Sequence, residues 1–275
     1  MDIARYTEDG DVYYIEGFAH LPSEELAQKR RFLQCAECGG PAYFRKASRS
    51  GQAACFGARP HKPGCSFATP EHSLSDDGQG DEQDRLINSG ETIVIDLNFE
   101  STSESQTKAK NIDGTPSSRR RLGSFLGDGS RPESKMHRRL SSLLLNLTGG
   151  TNFHESNQIL EIEGYPDMTV KDFFVPIEKI SNEDVGSFRG LWGMLSCANT
   201  KPRGSLWLNG SGQNTINFCL DNRLIGHLFK KYGIEEDEEL SGAYILVLGI
   251  PLLSPNDTLY CAIKDLSHVT LRLAK

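Results

Sequence analysis

The chain has 275 residues, 37% of them hydrophobic and 24% charged, and a formal net charge of −7. At roughly 100 to 200 residues per domain that is one or two folded units, with an apolar share below the roughly 45–50% of ordinary domains, so part of the chain is expected to stay outside any core. No run approaches the roughly 20 apolar residues that cross a bilayer, and the first residues, MDIARYTEDGDVYY, lack the basic and apolar regions of a secretory signal. The expected location is the cytoplasm, where seven unevenly spread cysteines do not read as a disulfide framework.

Charge is arranged in blocks. Between Lys29 and Thr69, eight cations (Lys29, Arg30, Arg31, Arg45, Lys46, Arg49, Arg59 and Lys62) face Glu37 alone, a balance of +7. From Glu71 to Glu104 the balance reverses to −9. The first block holds a Cys-x2-Cys pair, Cys35 and Cys38, followed by Gly39 and Gly40, and a His-x3-Cys pair, His61 and Cys65. Two cysteines at this spacing turn both sulfurs toward one ion, the glycines let the backbone curl under the thiolates, and the second pair completes a tetrahedron. A structural zinc ion held by Cys35, Cys38, His61 and Cys65 is the expectation, with Cys55 and His72 as spare ligands. Four protein ligands leave no open position for water, as a catalytic zinc would require. A redox pair is the competing reading, but the strand-then-helix setting that it needs is missing. Pro41–Lys46 and Gln52–Gly57 read as two strands around a turn, giving a zinc-ribbon-like module whose Arg45, Lys46 and Arg49 are candidate nucleic-acid contacts.

The segment QCAECGGPAYFRKASRSGQAACFGARPHKPGC resembles the zinc-finger region at the start of competence CoiA-like proteins and their relatives in bacterial defence and mobile elements. The likeness covers about forty residues and implies a binding finger; no nuclease motif accompanies it.

Residues 73–90 and 100–135 are polar and rich in Ser, Gly and Asp, and read as loops or linkers. A basic run within the second, Arg119 to Arg139, is either a solvated linker or a phosphate-contacting arm. Glu91–Phe99 (ETIVIDLNF) reads as a strand expected to pair with the first module. Lys135–Leu147 places Met136, Leu140, Leu143, Leu144 and Leu147 on one helical stripe that Gly149-Gly150 stops. Phe153–Ile180 reads as short strands or a connection.

From Phe188 onward the pattern is of five strands, Phe188–Cys197, Ser205–Asn209, Thr215–Leu220, Ala243–Ile250 and Thr258–Ile263, the last extended by Val269–Leu273. One helix, Asn222–Tyr232, falls between the third and fourth. This order resembles an OB-fold of the nucleic-acid-binding kind, a five-stranded Greek-key barrel. A period of two puts Leu206 and Leu208 inside and Trp207 outside, and sets Tyr260 and Lys264 opposite Leu259, Cys261 and Ile263. The resemblance implies that Trp207 stands where bases stack; Trp192, Arg189, Lys201, Arg203, Tyr260 and Lys264 would complete an aromatic and cationic groove. Packing of Trp207 against the Lys135–Leu147 helix or a partner protein is the rival reading. The acidic run Glu235–Glu239 reads as a solvated cap at the closed end of the barrel.

The fold expected is therefore mostly β (α+β): a zinc module over 1–99, a flexible linker over 100–135, and an OB-fold domain over 136–275. Neither a Walker loop nor a Gly-x-Gly-x-x-Gly run is present, and single scattered histidines lack catalytic partners. The expected function is a non-enzymatic binder of single-stranded DNA or RNA, an accessory in phage defence, mobile-element processing or repair. The alternatives are an adaptor docking a partner protein and a metal-dependent nuclease.

Overall fold

The computed structural model describes residues 1–48, 51–68, 92–95, 97, 135–149, 152–201, 204–212 and 215–274. The chain is a mixed α+β, strand-rich protein with short helices, and its described residues form three sheets. No helix among the described residues is long and apolar enough to cross a membrane.

The first sheet is antiparallel and has the order β2-β1-β3-β4-β5, with β1 at Ile3–Tyr6, β2 at Val12–Tyr14, β3 at Leu33–Gln34, β4 at Pro41–Arg45 and β5 at Cys55–Ala58. Helices α1 (Ile15–Ala19) and α2 (Ser23–Lys29) lie between β2 and β3. In β5 the alternation buries Phe56 and Ala58, and Phe56 meets Phe18 and Phe44 with ring centroids 5.2 and 5.7 Å away. Glu24 and Glu25 in the first turn of α2 and Lys29 in its last complement the helix dipole. The β4–β5 hairpin is the pair of strands read from the sequence. The other three strands and both helices are additions, too short and too polar to give a clear period.

The second sheet has the order β7-β6-β8-β9, from β6 (Thr92–Ile95), β7 (Lys135–Arg138), β8 (Ile159–Ile162) and β9 (Met168–Thr169). Here β6 runs parallel to both β7 and β8, so the strand expected to join the first module belongs elsewhere. The reason is apolar burial: Ile93 and Ile95 share one cluster with Leu160, Ile162 and the stripe Leu140, Leu143, Leu144 and Leu147 of helix α3 (Leu140–Thr148). The expected helix from Lys135 is thus a strand followed by a helix. Met136 continues the leucine spacing by coincidence, and pairing with β6 prevails over it.

The third sheet has eight strands, not five. The elements are α4 (Val170–Phe173), β10 (Phe174–Pro176), β11 (Arg189–Thr200), β12 (Leu206–Gly210), β13 (Asn217–Leu220), α5 (Asn222–Tyr232), β14 (Tyr244–Gly249), β15 (Leu252–Leu253), β16 (Leu259–Ile263) and β17 (Val269–Arg272). The path runs β15-β16-β13-β12-β11-β14-β17, with β10 parallel to β11. The twelve-residue β11 pairs with β14 through its first half and with β12 through its second, and its register shifts between Leu195 and Cys197. β17 does not extend the fifth strand; it is antiparallel to β14. Asp221 caps α5 through the N–H of Arg223, and Gly233, at φ 64°, ends it in the left-handed region that favours glycine. One core joins Leu206, Leu208, Phe218, Ile245, Val247 and Cys261 under Leu228 of the helix.

The first sheet is docked on the third. Arg30, only 3% exposed, donates to Glu238 at 2.5 and 3.1 Å, to the Phe44 carbonyl at 2.8 Å and to the Ser241 hydroxyl at 3.0 Å. Arg45 donates to the carbonyls of Ser241 and Ala274, and Arg59 to that of Gly242. Tyr43 packs so closely over Gly242 that a Cβ there would collide with its ring. Glu238 is therefore an interface anchor and not part of a solvated cap. Removing one member of a buried pair leaves the other uncompensated, so Arg30→Ala is expected to cost roughly 3–5 kcal/mol in urea unfolding. Arg30→Lys should recover less than half, because an ammonium cannot reproduce the planar fork. Unchanged unfolding in either variant would refute this role for Arg30.

Candidate metal centre and nucleic-acid interface

Cys35 follows β3 directly, and its N–H donates to the Gly40 carbonyl at 2.8 Å while Gly39 N–H returns to the Cys35 carbonyl at 3.0 Å. This closed turn carries both cysteines. Gly39 has φ +67°, and a Cβ on Gly40 would lie 2.5 Å from the Pro60 carbonyl oxygen, so the turn needs both glycines. Downstream, Cys65 N–H donates to the Lys62 carbonyl at 3.2 Å, a turn through Gly64 at φ +84°. The Glu37 carboxylate ties the two turns together by accepting from the Ser66 N–H at 3.0 Å and from its hydroxyl, and these bonds hold it below the usual carboxylate range.

The ligand atoms of Cys35, Cys38, His61 and Cys65 all lie within 4.8 Å of one another. Cys35 Sγ is 3.8 Å from Cys65 Sγ, and Cys38 Sγ is 3.5 Å from His61 Nδ1. Burial opposes ionisation of Cys38, yet the N–H groups of Lys62 and Gly40 and the His61 ring outweigh it and bring the thiol down to about 6. Burial and the adjoining sulfurs push Cys65 up to about 11. Sulfurs this close oppose one another's ionisation, a conflict that a divalent cation among them would remove. Cys55 lies in β5 opposite Arg45 and outside this group; His72 lies outside the described residues.

The aromatic face is built by register. Trp207 is opposite Cys219, and Asn217 is opposite both Asn209 and Tyr260, so these side chains share the outer face of β12, β13 and β16. The Trp207 and Tyr260 rings meet across β13 with centroids 6.4 Å apart, and Trp207 Nε1 donates to Ser205 Oγ at 3.2 Å. Trp207 is half-buried, and Lys201 and Lys264 are exposed at the ends of β11 and β16.

Other expected members of the groove lie elsewhere. Trp192 packs against the cluster of α3 and the second sheet, 6.0 Å from the His154 ring, because the outer face of the first half of β11 is covered. Arg189 donates to the Phe188 carbonyl and pairs with Asp184 at 3.6 Å. Arg45 is held by interface carbonyls, and Lys46 is exposed, with its N–H on Glu238. Arg49 and Arg203 lie outside the described residues. Sequence reasoning misses Asn217, although the same alternation that turns Trp207 outward also turns Asn217 outward between Ile216 and Phe218.

Cys→Ser at 35, 38 or 65 should lower bound metal, measured by elemental analysis of purified protein, from one ion per chain to a small fraction of that. Gly40→Ala should act likewise through its clash with Pro60, and Cys55→Ser should leave the content unchanged. Full metal content in Cys38→Ser would refute the site.

No family model matches the chain, and no curated protein does. Among solved structures, a protein assigned as an aspartyl-tRNA synthetase from Leishmania major Friedlin is 8% identical over 37% of this chain and 21% of its own, with a TM-score of 0.28. The OBody AM1L10 bound to hen egg-white lysozyme is 13% identical over 35% of this chain and 87% of its own, with a TM-score of 0.26. Both likenesses are too slight to assign a fold.

Proposed function

We propose that the chain binds single-stranded DNA or RNA, with a structural zinc ion stiffening its first module and an OB-type barrel presenting the stacking surface. For the metal, zinc bonds of about 2.3 Å to sulfur and about 2.0–2.1 Å to nitrogen in a tetrahedron imply roughly 3.8 Å between sulfurs and roughly 3.5 Å between sulfur and nitrogen. The observed 3.8 and 3.5 Å agree with both. When bound, the ion would fix the two turns and supply no open coordination position, since three sulfurs and one ring nitrogen fill the tetrahedron.

For the barrel, the support is connectivity. β13 is parallel to β16, α5 lies between the third and fourth strands of the series, and β14 on β11 is separated from β15 on β16 by Ile250 and Pro251 alone. These pairings suit a small Greek-key barrel. The observation that carries the functional reading is the pair of outward rings, Trp207 and Tyr260, adjacent on one sheet face. Stacking on such rings is tolerant of sequence because every base has a π-face.

A protein-docking role is the second reading. It is favoured by Ile250, Leu252 and Leu253, which are 42%, 39% and 42% exposed, Leu252 lying opposite Tyr260.

Fluorescence anisotropy with labelled oligo-dT and oligo-U separates the two readings. Binding at low salt that weakens as salt rises, and a loss of about 1–3 kcal/mol on Trp207→Ala, or about 5- to 150-fold, supports the first. No binding to either probe at low salt would reject it in favour of docking.

A further inference from the structure

The surface carrying the two rings does not end at the edge of the third sheet. Asn217, opposite Tyr260 in register, accepts a hydrogen bond on Oδ1 from Arg31 at 3.0 Å. Arg31 comes from the first module, in the turn between α2 and β3, four residues before Cys35. Its main chain is pinned to the barrel side as well: the Gly212 N–H donates to the Arg31 carbonyl at 2.8 Å, and Ser211 Oγ reaches it at 3.4 Å. Arg31 and Asn217 line a cleft of about 700 Å³ shared by the two modules, with Phe32 from one side and Thr258 and Leu259 from the other. Asn217 lines the cleft and lies opposite Tyr260 in register, so the cleft reaches the strand pair that carries the ring.

Within this setting the guanidinium is underused. One terminal nitrogen donates to Asn217, while Nε is shielded and has no partner. The terminal nitrogens, unlike Nε, are not shielded orphans, and a guanidinium presents its donors in a planar fork that fits two oxygens of one phosphate.

We infer that Arg31 is a phosphate-binding residue of a composite groove, in which a base on Trp207 and Tyr260 is followed by a phosphate held by the zinc module. This inference rests on the single-strand reading above and adds to it: the first module is a wall of the binding site and not a second, tethered site. Glu8 and Asp257 also line the cleft, so it is no general trap for polyanions. It takes one phosphate, beside Arg31.

The test is a salt titration of fluorescence anisotropy on the full chain, with labelled oligo-dT as the probe. For single strands each phosphate contact contributes about 0.7 to the slope of log K against log salt. Arg31→Ala is expected to make that slope shallower by about 0.7 and to weaken binding several-fold at low salt, with Trp207→Ala weakening binding at an unchanged slope. Asn217→Asp, which places a carboxylate against the guanidinium without altering side-chain volume, should reproduce the shallower slope and serves where Arg31→Ala does not fold. An unchanged slope in both variants, while Trp207→Ala still weakens binding, overturns the Arg31 assignment and leaves the single-strand reading intact. Failure of the wild-type chain to bind overturns both.

Discussion

The arrangement of this protein hangs on one buried cation. Arg30 is nearly sealed from water and donates to a carbonyl of β4 and to a carboxylate and a hydroxyl from the turn before β14. A charge in such a place is tolerable only when it is paired and its terminal nitrogens are answered, as both are here. That requirement fixes the distance and tilt of the first module against the strand β11 and the turn before β14. Arg45 and Arg59 repeat the device, each a long side chain of the first sheet donating to carbonyls of the other. Because of this clamp Arg31, the next residue along, has no freedom to face elsewhere. Its carbonyl is already taken by Gly212.

This changes how two modules on one chain are to be understood. From the order of segments alone they read as separate binding units whose linkage raises effective concentration. Docked as they are, any gain comes from preorganisation: groups from both modules are held in position before a ligand arrives, so less conformational entropy is lost on binding. The candidate metal site fits this picture. Its first turn follows Arg30 and Arg31 in sequence and its second follows Arg59, so an ion that closed both turns would also stiffen the clamp.

The sequence was most legible where a single local period or spacing decides the outcome. Five strands of the third sheet follow from alternation, the helix Asn222–Tyr232 follows from the apolar face of Leu224, Ile225, Leu228 and Phe229, and the four clustered residues of the candidate metal site follow from Cys-x2-Cys and His-x3-Cys. Legibility failed where distant residues compete for the same surface. The strand Thr92–Ile95 has an apolar pattern that would suit either module, and only the leucines of Leu140–Thr148 decide its place. Trp192 and Trp207 are alike in pattern, both outward on neighbouring strands, yet one face is covered by a second layer and the other is not. Arg45 looked like a free cation because nothing local marks the carbonyl of Ala274 as its acceptor.

The same competition bears on how an acidic chain could hold a polyanion. The +7 block of the first module invites the idea of an electropositive face, but three of its arginines, at 30, 45 and 59, are turned inward onto a carboxylate and carbonyl oxygens. Those cations neutralise nothing on a ligand. Among the described residues, the cations on the side of the aromatic surface are Arg31 at one end and Lys201 and Lys264 at the strand ends. On the single-strand reading proposed above, each such cation adds one increment of counterion release per phosphate engaged, and stacking on Trp207 and Tyr260 gives the chain a contribution that does not scale with charge. Its preference would then follow the stacking strength and backbone flexibility of the strand more than its charge density, which favours flexible unpaired segments over duplex, where bases are hidden from both rings.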